Sequence, residues 1–235
     1  METEVHSPAN TTFISNLSRL KGLLKALRVD SKELDAELVR SKATGDSQRI
    51  SALERRVARR NANLAFVFEW HCAMLVTFAE TYLQDVLVFF SGLDTQLLND
   101  SEQKASYGDI QASRSLDDLA EQLRIRWARS WVDKGGPALW INRLQRMGAS
   151  SYPKELAEQL EELWGIRHVI IHRAGLVTLD FCRRHPQFGL APGEPIQLTQ
   201  DRVARYTDAV SQFVSITDSY FANRYRGLLK DKQAN

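Results

Sequence analysis

Cysteine, proline and glycine are scarce in this chain, with two, six and twelve among 235 residues. The cysteines, Cys72 and Cys182, form no CxxC pair, so neither a disulfide framework nor a thiolate zinc site is expected. Cys72 falls in an apolar helical run and reads as a core residue. An excess of one charge is also missing. Lys plus Arg number 31 against 29 Asp plus Glu, so any basic site has to be local. The opening "METEVHSPANTTF" is acidic and polar, without the basic and apolar regions of a secretory signal. The most apolar stretch, Leu64 to Phe90, is interrupted by Glu69, His71, Glu80, Gln84 and Asp85. Charges at those depths argue against a membrane span, and the expected location is the cytoplasm. The chain also lacks GxxxxGKS/T, GxGxxG, HExxH and GxSxG. Those absences remove the usual nucleoside-triphosphate, dinucleotide, zinc-protease and serine-hydrolase readings.

What is present is helical periodicity between well-placed breaks. Leu17, Leu20, Leu24 and Leu27 make one stripe of a first helix, and Ser31 is an N-cap candidate for a second, short one. A long helix is predicted from Ser47 to Phe90, polar and arginine-rich at first, then apolar nearly all round and therefore central. Residues 91–109 read as a loop. Ser115 caps the next helix; Pro137 opens another that Gly148 closes; Pro153 opens one that Gly175 closes. Residues 175–198 hold Pro186, Pro192 and Pro195 with three glycines and predict a loop or short hairpin. Thr199 then caps a final long helix with Val203, Tyr206, Val210, Phe213, Ile216 and Tyr220 on one face. The predicted fold class is all-α, a helical bundle with an N-terminal helical extension over 1–60 and the main domain over 61–230.

One short stretch concentrates chemistry: "IRHVIIHRAG", Ile166 to Gly175. His168 and His172 are four residues apart, roughly 40° apart on a helix, and the long Arg167 side chain can curl toward them. Val169, Ile170 and Ile171 are expected to anchor this helix. A polar helix face, a metal site built on the histidine pair, and a nucleolytic centre all fit these residues. The metal reading lacks an obvious third ligand. In the nucleolytic reading a histidine moves protons while an arginine stabilises phosphate charge.

"RHVIIHRAG" resembles the R-x4-6-H motif of the HEPN-domain family, in particular its RiboL-PSP-type ribonuclease-toxin and defence members. Arg167 is followed by a polar residue, His168, where the family more often has asparagine or aspartate. His172 takes the motif's histidine, and Gly175 falls where the family's glycine does. "FAETYLQDVL", residues 78–87, is similar to an early helix of several such families, and "GEPIQLTQDRV" to their downstream ending. The likeness covers roughly 61–225. It implies a helical bundle that forms a homodimer, with two such motifs facing a shared cleft. It also implies metal-independent RNA cleavage by Arg167 and His172, assisted by His168, with no cofactor. Glu80, a carboxylate in a nearly all-apolar helix, is then expected to orient Arg167. The resemblance further implies a toxin or antiviral setting, with an antitoxin or regulatory protein as partner and no DNA specificity. A non-catalytic HEPN module that dimerises and binds nucleotide or RNA is the alternative.

Two arginine-rich stretches complete the candidates. "RRVARR" sets Arg55/Arg59 and Arg56/Arg60 at i, i+4. With Arg173, Arg55 and Arg59 are candidate RNA contacts, against the plainer reading of a solvated face. Arg124, Arg126 and Arg129 with Trp127 and Trp131 form a basic-aromatic group that either stacks bases or packs.

Overall fold

The computed structural model describes residues 7–98, 104–149 and 152–233. The side chains of 27–30 and 230–233, and with them the Leu27 position of the first stripe, lie outside the described residues. The fold is all-α. Among the described residues there is no strand, and the helices are α1 (Pro8–Thr44), α2 (Ser47–Leu93), α3 (Tyr107–Ala112), α4 (Leu116–Asp133), α5 (Pro137–Arg146), α6 (Lys154–Arg173), α7 (Leu179–Arg184), α8 (Gln200–Arg224) and α9 (Arg226–Gln233).

Several breaks fall where local chemistry sets them. Ser115 Oγ accepts the Asp118 N–H at 3.1 Å and starts α4. Pro137 sits in the first turn of α5. Gly148, at φ +100°, ends that helix as its N–H returns to the Gln145 carbonyl and that of Ala149 to Leu144, the Schellman pattern. Thr199 Oγ1 accepts the Arg202 N–H ahead of α8.

Three expectations are corrected. Ser31 does not start a helix, because α1 runs unbroken past it. No proline or glycine stands between Gly22 and Gly45, and serine is only mildly unfavourable inside a helix. The loop after α2 contains α3, started by a capping box in which Ser106 and Asp109 satisfy each other's backbone N–H groups. The proline- and glycine-rich segment holds α7, capped by Thr178.

The chain divides into two compact units whose boundaries fall inside helices. The first comprises residues 1–14, 76–164 and 206–235. Its core joins Tyr82, Leu83, Val86 and Phe90 of α2 to Trp140 and Leu144 of α5, and to Val210, Phe213 and Phe221 of α8. Phe90 and Phe221 stack at 4.9 Å, and Trp140 meets Trp164 edge-on at 5.0 Å. Ser7, Asn10 and Phe13 at the start of α1 are buried in this unit, Phe13 edge-on to Tyr82 at 5.9 Å. Ser7 Oγ accepts the Asn10 N–H and donates to the buried Asp218 of α8.

The second unit comprises residues 15–75 and 165–205. Here α1 and α2 run antiparallel around Gly45 (φ +74°), tied by Lys42–Glu54 at 3.1 Å, Arg49–Glu37 at 3.0 Å and Arg60–Asp35 at 2.8 Å. The buried apolar side chains are Leu17, Leu20, Leu53, Cys72, Leu75, Ile166, Val169, Val177, Phe181, Ile196 and Val203. By length and composition α2 could cross a membrane, with a mean hydropathy of 1.4 over its most apolar window, 44% of which is buried.

His71 of α2 is 0% exposed, and burial lowers its pKa to about 4. The folded state therefore holds the neutral ring, while the unfolded chain titrates near ~6.5. That stabilisation is fully present above the unfolded value and is lost as pH falls toward the folded one. Unfolding in urea at pH 7.5 and pH 5 is expected to show about 2 kcal/mol more loss for the native chain than for His71→Leu. Equal losses in the two proteins, or a protonated His71 ring by NMR at pH 5, would refute this.

Candidate functional site

The candidate site is built on the C-terminal half of α6. Ile166 and Val169 are buried and fix one side of the helix. Ile171 is 55% exposed, so it does not anchor the helix as expected. It follows buried Val169 by two residues, roughly 160° around, on the far side of the helix. The end of the helix is set by two successive left-handed residues, Ala174 (φ +51°) and Gly175 (φ +81°). Gly175 N–H returns to the Val169 carbonyl at 3.2 Å, and its own carbonyl accepts the Ile196 N–H at 2.8 Å. Val177 N–H donates to Glu194 O at 2.9 Å, and Leu176 forms a single antiparallel bridge with Pro195. The expected hairpin is thus reduced to one bridge, and it holds the end of α6 in place.

Arg167, His168, His172 and Arg173 come together on this stretch. Arg167 is half-buried and the other three are exposed. The two imidazoles lie 4.7 Å apart between centroids, tilted by 47°. Partial desolvation lowers the pKa of His168, helped by the neighbouring charges of His172, Arg167, Arg173 and Arg184. The neutral, proton-accepting form of His168 is thereby favoured. The surroundings are cationic, which suits an anionic ligand. Among the described residues no group of three His, Cys, Asp or Glu side chains is placed to hold a metal ion.

The other sequence candidates lie on α2 and α4. Glu80 is half-buried on α2. Arg55 and Arg59 are exposed on α2. Their neighbours Arg56 and Arg60 instead face α1 across a groove of about 910 Å³, also lined by Glu33, Glu37 and Arg40. The two i, i+4 stripes of "RRVARR" thus do different work. The basic-aromatic group is packed and paired within the first unit. Trp127 is buried, Arg126 pairs with Asp109 at 2.8 Å, Arg124 pairs with Glu121, and Arg143 of α5 lies over Trp131 at 5.3 Å.

Two carboxylates not singled out as site candidates also have definite places. Glu161 of α6 accepts the Ala138 N–H at 2.6 Å, capping α5 where the N-cap residue, Gly136, has no side chain to do so. Glu69 of α2 is half-buried, and burial raises its pKa. A Cβ built on Gly175 would lie 3.6 Å from Glu69 Oε1, so this carboxyl group rests against the turn that ends α6. Its one sequence signal is a charge within an apolar run. No protein family, no curated protein and no solved structure matches this chain.

Proposed function

We propose that this chain is a metal-independent endoribonuclease of the HEPN type, acting in the cytoplasm as a homodimer. The observation that carries the reading is the grouping of half-buried Arg167 with exposed His168 and His172 at one helix end, with the imidazole rings 4.7 Å apart. An imidazole beside an arginine is what transfer within an RNA phosphodiester requires. The ribose 2′-oxygen forms a bond to phosphorus as the bond from phosphorus to the 5′-oxygen breaks. One imidazole takes the 2′-hydroxyl proton, and an imidazolium returns a proton to the departing 5′-oxygen. His168, biased toward its neutral form, suits the first role, and His172 takes the second. Arg167 offers a forked pair of donors to the phosphate oxygens as charge builds. Arg173, Arg55 and Arg59 contact the backbone. DNA is not cut by this route because it lacks the nucleophile.

Ile171, Leu176 and Leu179 leave apolar side chains exposed at and just beyond the helix end, which supports a second copy docking there. The likeness to toxin and defence nucleases supplies the biological setting. A second reading, a non-catalytic RNA- or nucleotide-binding module, draws on His168 standing where the family more often has asparagine or aspartate.

The test is incubation of the full chain with single-stranded RNA in EDTA. Expected products carry 2′,3′-cyclic phosphate and 5′-hydroxyl ends, and a 2′-deoxy substitution at the cut position blocks cleavage there. Binding without cleavage would favour the second reading. Cleavage that disappears with chelator would overturn the metal-independent mechanism.

A further inference from the structure

A third arginine, outside α6, lies within electrostatic range of His168. Gly165, one turn before His168, is the place where α7 lies against α6. A Cβ there would sit 2.8 Å from His185 Nε2 and 3.5 Å from the Phe181 ring, so only glycine leaves room for this contact. On a helix, His168 is about 60° and His172 about 20° around from Gly165. The face that receives His185 is therefore the face that presents both histidines. His185 is buried and packs on Phe181 at 4.8 Å, and Arg202 of α8 covers Phe188 at 3.8 Å, so the end of α7 is held firmly. Arg184 immediately precedes His185. Its charge acts on His168 together with those of Arg167 and Arg173.

Arg184 is not idle in this structure. Its guanidinium is bonded to Asp180, one turn back on α7. Both side chains are well exposed, at 58% and 71%. Such an exposed i, i+4 pair is weak and readily exchanged. A phosphodiester lying across His168 and His172 would also meet Arg167 and Arg173, a combination that the single Asp180 carboxylate does not match.

We propose that Arg184 is a further phosphate-binding residue of this site, and that Asp180 is a tethered competitor that occupies it until an RNA phosphate takes its place. The proposal rests on the reading of the α6 face as an RNA site. No bond is made or broken in the exchange, because one anion replaces another on the same guanidinium.

The probe is a 2′-O-methyl oligoribonucleotide, which cannot be cut, titrated against the full chain at several salt concentrations. Arg184→Ala is expected to weaken binding about tenfold. It should also reduce the slope of log affinity against log salt by about 0.7, one phosphate contact. Asp180→Ala is expected to tighten binding about threefold, but only while Arg184 is present. The double variant should match Arg184→Ala. Arg183→Ala, on the adjacent position, serves as control. If the native chain binds and cuts RNA but Arg184→Ala binds the probe equally well, or Asp180→Ala tightens binding even without Arg184, this inference falls and the nuclease reading stands. If the native chain neither binds nor cuts, both fall.

Discussion

Replacing His172 with alanine is expected to lower RNA cleavage by about three orders of magnitude, within the range for loss of a proton-transfer group. Arg167→Ala is expected to lose a comparable factor, because a donor aimed at developing phosphate charge is worth about 10²–10³ in rate. The two losses should not multiply, since both groups serve one transition state. His172 is exposed, so its removal should leave the thermal midpoint within a degree or two. Arg167 is half-buried and its variant needs the same check. Arg167→Lys keeps the charge without the fork and is expected to recover only part of the rate. Single-turnover cleavage of a labelled RNA in EDTA, run beside thermal melts, separates lost chemistry from lost fold. A well-folded His172→Ala protein that cuts at the native rate would end the nuclease reading.

The largest expected effect on stability belongs to Asp218→Ala, about 3–5 kcal/mol from the buried donors it leaves without an acceptor. Asp218 is 2% exposed on α8. It accepts the Ser7 hydroxyl, the Asn10 side-chain amide at 2.8 Å, and the Tyr82 hydroxyl at 3.5 Å. Ser7 and Asn10 are themselves buried at the start of α1, where the helix dipole adds its own attraction for a carboxylate. Alanine strands those donors away from water, and each stranded donor costs roughly 1–3 kcal/mol. Asp218→Asn keeps one acceptor oxygen and should lose about half as much. Ser7→Ala removes a cap and a single bond and should cost about 1 kcal/mol. Urea unfolding of the three variants gives the order directly, and an Asp218→Ala midpoint equal to the native one would refute this account.

The contrast between these two sites shows what local pattern can and cannot carry. The α6 cluster was legible because its residues are close in sequence: a four-residue histidine spacing, an adjacent arginine and a glycine at the end. The all-α class, the long α2, the Ser115 and Thr199 caps and the Pro137–Gly148 helix were legible for the same reason, since each depends on a few neighbouring residues. The Asp218–Ser7 bond joins residues 211 positions apart, and no periodicity announces it. Arg184 was hidden because its segment is rich in proline and glycine, and only the close approach of His185 to Gly165 brings it to the histidines. Glu69 looked merely like an interruption in an apolar run until Gly175 was found beside it. α3 and α7 could have been read from Ser106-x-x-Asp109 and from Thr178, but both are only six residues long, too short for a hydrophobic stripe to show.

The single bridge between Leu176 and Pro195 has a consequence for how this protein can vary. It closes residues 177–194 into an excursion whose two ends meet. Val177, Phe181 and His185 of this excursion are buried, so the part that can lengthen at little cost in closure entropy is its exposed tip around Gly189 and Gly193, and such a change leaves the Gly175–Ile196 hydrogen bond that fixes the end of α6 where it is. The excursion carries Asp180 and Arg184, whereas α6 carries Arg167, His168 and His172. The two ends of the excursion are therefore pinned beside the end of α6, so that a change of length at its exposed tip leaves Arg167, His168 and His172 where they are.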